Sequence, residues 1–100
     1  MLGCKGVDAD SNWGFHWGEG GGSHDKCSSA YHGPEAFSEV ENVNARDFLA
    51  ARKGEFIMYN SLRSYSQLVL LPWGYTSTPP DDYDWMYRLA AKGCHCFVVL

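Results

Sequence analysis

Apolar residues are sparse in the first third of the chain and recur at regular spacing only after it. Residues 1–33 carry most of the glycine, together with Asp, Asn and Ser, a composition that favours turns over helices or strands. The sequence therefore predicts a long ordered loop here. Its apolar anchors are Val7, Trp13, Phe15, Trp17 and Tyr31.

The middle of the chain predicts one helix and two strands. Ser38 reads as the N-cap of a helix over residues 39–52, with acidic residues in its first turn and Gly54 as its stop. Two apolar runs rich in strand-forming residues follow, over residues 56–62 and 67–71. We expect two consecutive strands.

The last quarter predicts a second helix and a distinct tail. The helix should follow the turn at Pro79 and Pro80, occupy residues 81–92 and stop near Gly93. Residues 94–100 change character abruptly and end in a bare apolar run, so we expect an atypical tail there.

Composition and charge indicate a folded chain and argue against some classes of binding partner. The chain has 100 residues, of which 45% are hydrophobic, 20% charged and 15% aromatic, which is typical of folded chains. Its length fits one small domain or part of a larger one. A net charge of −4 without any Lys/Arg cluster argues against nucleic acid and anionic membranes as partners. No membrane span and no signal peptide are expected in this chain.

The four cysteines allow three pairings. Cys94 and Cys96 are separated by one residue and can hardly bridge each other without strain, so Cys4 with Cys27 is the pair we favour. A disulfide there would stabilise the loop by roughly 3 kcal/mol. The Cys94-His95-Cys96 run has close metal-ligand spacing, but a lone Cys-x-Cys is a weak zinc signal.

Three segments resemble one protein family, the zinc metallocarboxypeptidases of the carboxypeptidase A/B type. Residues 6–13 read GVDADSNW and are followed by CSSAYHGPEAFSE at residues 27–39, residues 62–75 read LRSYSQLVLLPWGY, and residues 81–92 match the helix that follows. The Cys4 and Cys27 spacing also matches the family's disulfide.

The resemblance implies an α/β fold, of which this chain would be a partial slice. The family's mixed central sheet is flanked by helices, and the slice would hold about two strands, two helices and a long disulfide-stapled loop. We expect residues 1–93 to form a partial metallocarboxypeptidase domain and residues 94–100 the tail.

Zinc is the cofactor that the resemblance implies for the parent family, but we expect none bound by this chain. The family's His-x-x-Glu ligand pair lies upstream of the matched region, and its third ligand, a distant His, is replaced here by Arg63. A guanidinium has no lone pair to give a metal. His16 with Glu19 and His32 with Glu35 have the right spacing, yet both fall where the resemblance places ordinary loop residues.

The resemblance also places a substrate site in this chain. Asp10 and Ser11 hold the positions of the family's Asn-Arg pair, which clamps the substrate's terminal carboxylate. Asp10 brings negative charge to that place, so the clamp is degenerate. Ser64 and Tyr65 keep the family's residues and would line the substrate-binding cleft. We expect no catalytic residue here, because the general base lies beyond residue 100 in family order.

The sequence leaves three functional interpretations open. The leading one is a segment of a zinc metallocarboxypeptidase, inactive as given, whose family hydrolyses the C-terminal bond of a peptide or protein and is secreted. The second is a non-catalytic pseudoenzyme that binds peptide or protein. The third is a small independent domain stapled by its disulfide.

Overall fold

A computed structural model of the chain describes residues 3–4, 6–63, 67–93 and 97–99. It contains a short 3₁₀-helix at Ala9–Ser11, helix α1 at Val40–Ala51, strand β1 at Leu68–Leu70, helix α2 at Tyr83–Gly93 and strand β2 at Phe97–Val99. These elements belong to two compact units, Met1–Asn60 and Ser61–Leu100. The architecture is the expected partial α/β slice.

The first unit begins with the predicted long loop. The Cys4–Cys27 disulfide forms, with 5.0 Å between the two Cα atoms, so the favoured pairing is confirmed. A β-bridge between Ser23 and Tyr31 connects the two ends of the loop's second half. The Asp8 amide donates to the Tyr31 carbonyl at 2.7 Å and holds the start of the loop against its end. The loop is ordered by these contacts because it has few apolar side chains to bury.

Helix α1 is confirmed to within one residue at each end, but its predicted N-cap is wrong. Glu39, not Ser38, holds the N-cap position, and its own side chain makes no capping bond. Its backbone amide donates instead to Asn12 Oδ1 at 3.2 Å. After the helix the chain turns over residues 52–55, where Gly54 has a positive φ of 94°, as its predicted role as a stop requires.

The second unit is a strand, helix, strand arrangement. Strands β1 and β2 pair in parallel, with Leu68 opposite Phe97 and Leu70 opposite Val99, and α2 lies between them in the sequence. The strand predicted over residues 67–71 is confirmed as the shorter Leu68–Leu70. The helix predicted over residues 81–92 is confirmed as Tyr83–Gly93, which begins two residues later and ends one residue later.

The strand predicted over residues 56–62 is wrong, because those residues form no regular element. Its sequence favours a strand, yet a strand also needs a neighbour to accept and donate backbone hydrogen bonds. Among the described residues, β1 takes β2 as that neighbour. The predicted pair of consecutive strands is thereby replaced by strands that lie far apart in the sequence.

Little apolar surface is buried. Tyr31 is the buried hydrophobic residue among those described, and the other buried side chains are polar, namely Asn12, His32 and Asn42. Many large apolar side chains are exposed, as composition predicted for a chain of this size. They include Phe48, Phe56, Ile57, Tyr59, Leu70 and Trp85. No helix in the described ranges has the length and apolar character that a bilayer crossing requires.

Candidate functional site

The short 3₁₀-helix carries Asp10 and Ser11, the two positions of the expected carboxylate clamp. Both are held by Asp8, which precedes the helix. Ser11 Oγ donates to Asp8 Oδ2 at 2.7 Å, and the Asp10 amide donates to Asp8 Oδ1 at 3.3 Å. The Ser11 hydroxyl hydrogen is thus engaged within the turn. The Asp8 side chain thus caps the 3₁₀-helix, and Asp10 is an exposed residue of this turn.

Asn12 holds this turn in place from the next position. Its side chain is fully buried, and its Nδ2 lies within hydrogen-bond distance of three acceptors: the His32 carbonyl at 2.8 Å, the Glu35 carbonyl at 3.0 Å and Ser38 Oγ at 2.9 Å. Its backbone carbonyl accepts from the Phe37 amide at 2.8 Å. One asparagine therefore joins the turn to the whole segment that leads into α1.

Asn42 supports the turn from helix α1. Its Nδ2 donates to the Ala9 carbonyl at 2.7 Å, so the first turn of α1 is tied to the 3₁₀-helix. Its Oδ1 is buried and finds no hydrogen-bond partner among the described residues. The hydrogen bond from Asn42 Nδ2 specifies one position of α1 relative to the 3₁₀-helix.

Gly33 lies where these contacts converge and leaves no room for a side chain. It has a positive φ of 88°, and a Cβ built there would come within 2.5 Å of Ser38 Oγ and 2.6 Å of Asn12 Nδ2. Real Cβ atoms essentially never come so close to another heavy atom. The glycine is required both by its backbone conformation and by the hydrogen bonds that pass beside it.

The histidines form two separate local contacts. His16 Nδ1 contacts Glu19 Oε2 at the surface, so the two side chains of the first His-x-x-Glu spacing bond each other. His32 Nε2 lies 3.1 Å from His24 Nδ1, and its ring packs against Trp17 with 4.3 Å between centroids. In the described part of the chain, no three His, Cys, Asp or Glu side chains lie together as a metal site would need.

The remaining expected site residues lie in or beside the second unit. Arg63 is described and exposed, and it holds the position at which the resemblance requires a zinc ligand. A guanidinium carries five N–H donors and no lone pair, so the residue present does not fit a zinc ion. Ser64 and Tyr65 lie outside the described residues, as do Cys94 and Cys96.

The buried polar centre made by Asn12, His32 and Asn42 was not predicted from the sequence. A signal was present for Asn12, because asparagine in a Gly-rich loop often bonds backbone groups. Nothing in the local pattern indicates that its partners lie 20 to 27 residues away. The second and third members each stand in an otherwise unremarkable local sequence.

Comparison with known proteins places these features in a family. A zinc carboxypeptidase family profile matches residues 2–95. Carboxypeptidase B of Astacus astacus is 49% identical over 92 residues, which cover 92% of this chain and 30% of that protein. Carboxypeptidase A2 of Rattus norvegicus is 42% identical over 90 residues, covering 90% of this chain and 21% of that protein.

A solved structure agrees with these sequence matches. The crystal structure of carboxypeptidase A from Helicoverpa armigera matches with a TM-score of 0.83 and 29% identity, over 89% of this chain and 21% of that chain. This chain therefore spans less than a third of the length of the relatives it matches.

Proposed function

Since this chain belongs to the zinc carboxypeptidase family, we propose that it is a scaffold segment of a carboxypeptidase domain that neither binds zinc nor cleaves peptides by itself. The proposal rests on Arg63, an arginine at the position where the resemblance to the family expects a zinc ligand. A cation without a lone pair cannot coordinate zinc and repels it. Zinc peptidase chemistry requires three protein ligands and an open coordination position, and we infer that Arg63 does not supply one of them.

The turn at Asp10 and Ser11 gives the second line of support. Exopeptidases of this family recognise the terminal carboxylate of a peptide through paired charge-assisted hydrogen bonds. Asp10 presents a like charge instead, and the Ser11 hydroxyl donates to Asp8. We infer that this turn does not select a free carboxylate, and that Ser64 and Tyr65 contribute only to the wall of a peptide-binding cleft.

The domain from which such a segment derives would act on the C-termini of peptides or proteins outside the cell. The disulfide between Cys4 and Cys27 supports that location, because disulfides persist in oxidising compartments. The proposed domain boundary puts residues 1–93 in the carboxypeptidase domain and residues 94–100 in the tail.

A second candidate function is a peptide-binding pseudoenzyme. It is favoured by the hydrogen bonds that Asn12 makes to the segment leading into α1. These contacts keep the scaffold in place, while Asp10 and Ser11 stand at the positions expected to recognise a carboxylate. A peptide that stays uncleaved when captured by the chain, in a complex without zinc, would support this function over the first.

The direct test is a graft into a related enzyme. The 92 matching residues of Astacus astacus carboxypeptidase B are replaced by those of this chain, and zinc content and release of a C-terminal residue are measured. We expect the graft to be folded but to lack stoichiometric zinc and activity. Arg63→His should restore zinc binding, and Asp10→Asn with Ser11→Arg should then raise kcat/KM by roughly 100-fold.

Arg88→His is the matched control, because Arg88 is also an exposed arginine but lies in α2, away from the ligand position of the family motif. It should leave the graft without zinc. A graft that holds zinc and cleaves peptides with Arg63 in place would overturn the proposal, as would a folded Arg63→His graft without zinc.

A further inference from the structure

Two histidines of the first unit meet where the long loop folds back on itself. His32 Nε2 lies 3.1 Å from His24 Nδ1, and the two ring centroids are 4.3 Å apart. His32 is only 1% exposed, whereas His24 is exposed. A buried imidazole is thus bonded to an imidazole that exchanges protons freely with solvent.

The burial of His32 decides which of its ring nitrogens carries the hydrogen. Its Nδ1 is buried and has no hydrogen-bond partner among the described residues. A neutral imidazole carries hydrogen on one nitrogen and accepts at the other, and an N–H buried without an acceptor is costly. The hydrogen of His32 therefore belongs on Nε2, which donates to His24 Nδ1. His24 is the acceptor, with its own hydrogen on Nε2.

The contact lies at the end of a segment, residues 17–24, that folds over the buried ring and is called the loop tip below. Trp17 packs on His32 with 4.3 Å between ring centroids and donates from Nε1 to the His32 carbonyl at 3.1 Å. A Cβ built at Gly22 would come within 3.2 Å of His32 Cβ, so the backbone of the loop tip also lies directly against the residue. The side chain of His24 adds a polar contact at the exposed end.

No carboxylate takes part in the contact, because in the described part of the chain neither imidazole of the pair bonds an Asp or Glu side chain. Besides the pair, the titratable side chains of residues 17–32 are Glu19, Asp25, Lys26 and Tyr31. The Glu19 carboxylate bonds His16, and Asp25 Oδ1 accepts from the Cys27 amide at 2.9 Å. In the neighbouring turn, the Asp8 carboxylate caps the 3₁₀-helix. No existing ion pair therefore offsets the loss of the hydrogen bond when the pair is protonated.

We propose that the contact between His24 and His32 is a pH-sensitive switch that holds the loop tip closed when His24 is neutral and releases it when His24 is protonated. A protonated imidazole donates from both nitrogens and accepts at neither. Protonation of His24 therefore sets N–H against N–H and places a positive charge beside the buried ring. Histidine changes its charge between about pH 5 and 8, so the closed tip is stabilised above that range and loses this contact as pH falls through it.

The inference does not depend on the proposed function, since it involves neither zinc nor Arg63. The test measures amide hydrogen exchange of the 100-residue chain by NMR, from about pH 7.5 down to about pH 5. The reporters are the His32 amide, which donates to the Ser23 carbonyl at 3.2 Å, and the Ser23 amide, which donates to the Ala30 carbonyl at 2.8 Å. Their protection factors, from which the intrinsic pH dependence of exchange is removed, should fall by about tenfold or more in acid.

The Val43 amide is the internal reference, because it donates to the Glu39 carbonyl at the start of α1 and away from the loop tip. Its protection factor should change by less than about twofold over the same range. A parallel fall at this amide would show general unfolding in acid instead of a local switch.

Two variants at His24 separate the acceptor from the charge. His24→Asn puts an amide oxygen near the place of Nδ1, where it accepts a hydrogen bond but does not titrate, so protection of the reporter amides should stay within about twofold across the range. His24→Ala removes the acceptor and should give low protection already at about pH 7.5. His16→Asn is the matched control, since His16 is an exposed histidine of the same loop that bonds Glu19. It should keep the pH dependence of the parent chain.

Nitrogen-15 NMR of the imidazole rings gives a second readout in the unmodified chain. At about pH 7.5, His32 should carry its hydrogen on Nε2 and leave Nδ1 bare. Three results would contradict the switch: reporter amides whose protection does not change with pH, a fall in protection that persists in His24→Asn, and a His32 ring with its hydrogen on Nδ1.

Discussion

At the scale of single residues, hydrogen-bond geometry around Gly33 and Asn12 decides what the first unit can tolerate. The glycine is surrounded by Asn12 Nδ2 and Ser38 Oγ at distances no Cβ can accept. Arg63 and Asp10 are both exposed, and in the proposed function they act through their charge. Substitutions at the first pair should therefore affect folding, and substitutions at the second pair should affect recognition.

Gly33→Ala tests the close approach directly. It should lower the free energy of unfolding by about 3 kcal/mol or more, because the cost of a positive φ adds to that of a steric clash. Gly21→Ala is the control, since Gly21 also has a positive φ, of 71°, but open space around it. It should cost only about 1 kcal/mol. Urea denaturation measures both, and equal losses would contradict the role given to the clash.

At the scale of elements, helix α1 is positioned by two side-chain amides that bond distant backbone groups. Asn12 accepts the hydrogen bond of the Glu39 amide, and Asn42 reaches from the helix to the Ala9 carbonyl. The guanidinium of Arg46 bonds the neighbouring Asp47 carboxylate and thereby lowers the pKa of that carboxyl group. This pair is exposed, so it contributes little to the stability of the helix.

Asn12→Ala should loosen α1 from the loop. Loss of the buried amide leaves the Glu39 amide without its acceptor and removes one donor each from the His32 and Glu35 carbonyls, which costs about 2–3 kcal/mol. Asn44→Ala, at an exposed position of the same helix, should change the free energy of unfolding by less than about 0.5 kcal/mol. Hydrogen exchange of the amides in the first turn of α1 should rise in the first variant only. If hydrogen exchange in the first turn of α1 is unchanged in Asn12→Ala, Asn12 does not cap the helix.

The pairing of β1 with β2 belongs to the same scale. Phe97–Val99, which lies in the predicted tail of residues 94–100, forms the strand that pairs with Leu68–Leu70. A helix between two parallel strands is the usual connection of an α/β protein, and α2 supplies it. Residues 56–60 have a strand-forming sequence but form no strand, because a strand needs a neighbouring strand for its backbone hydrogen bonds.

At the scale of the whole molecule, the chain has strong local structure and little buried apolar surface. Tyr31 is the buried hydrophobic side chain among the described residues, and hydrophobic burial is the main favourable term in folding. A member of the zinc carboxypeptidase family that spans under a third of its relatives is expected to leave such surfaces open.

The isolated chain should therefore unfold with weak cooperativity. Scanning calorimetry should give a broad transition with an enthalpy well below the roughly 60–80 kcal/mol of a cooperative domain of this length. Reducing agent should broaden it further, because the disulfide restricts the unfolded loop. A sharp monomeric transition with the full enthalpy would show instead a small independent domain stapled by its disulfide.

The sequence by itself determined the features that depend on neighbouring residues and on motif identity. Both helices, the strand near residue 69, the long loop and the Cys4–Cys27 pair could be predicted because each is encoded by local spacing or by family motifs. The proposal that Arg63 stands in place of a zinc ligand likewise rests on family motifs and residue chemistry alone.

Only the tertiary structure decided which distant groups meet. It made Asn12 the cap of α1 in place of Ser38, gave the buried polar centre its partners, paired β1 with β2 and left residues 56–62 without a strand. Hydrogen bonds of these kinds join groups 20 or more residues apart, and a local pattern specifies the donor without specifying its acceptor. Strand formation in particular is a property of two segments together.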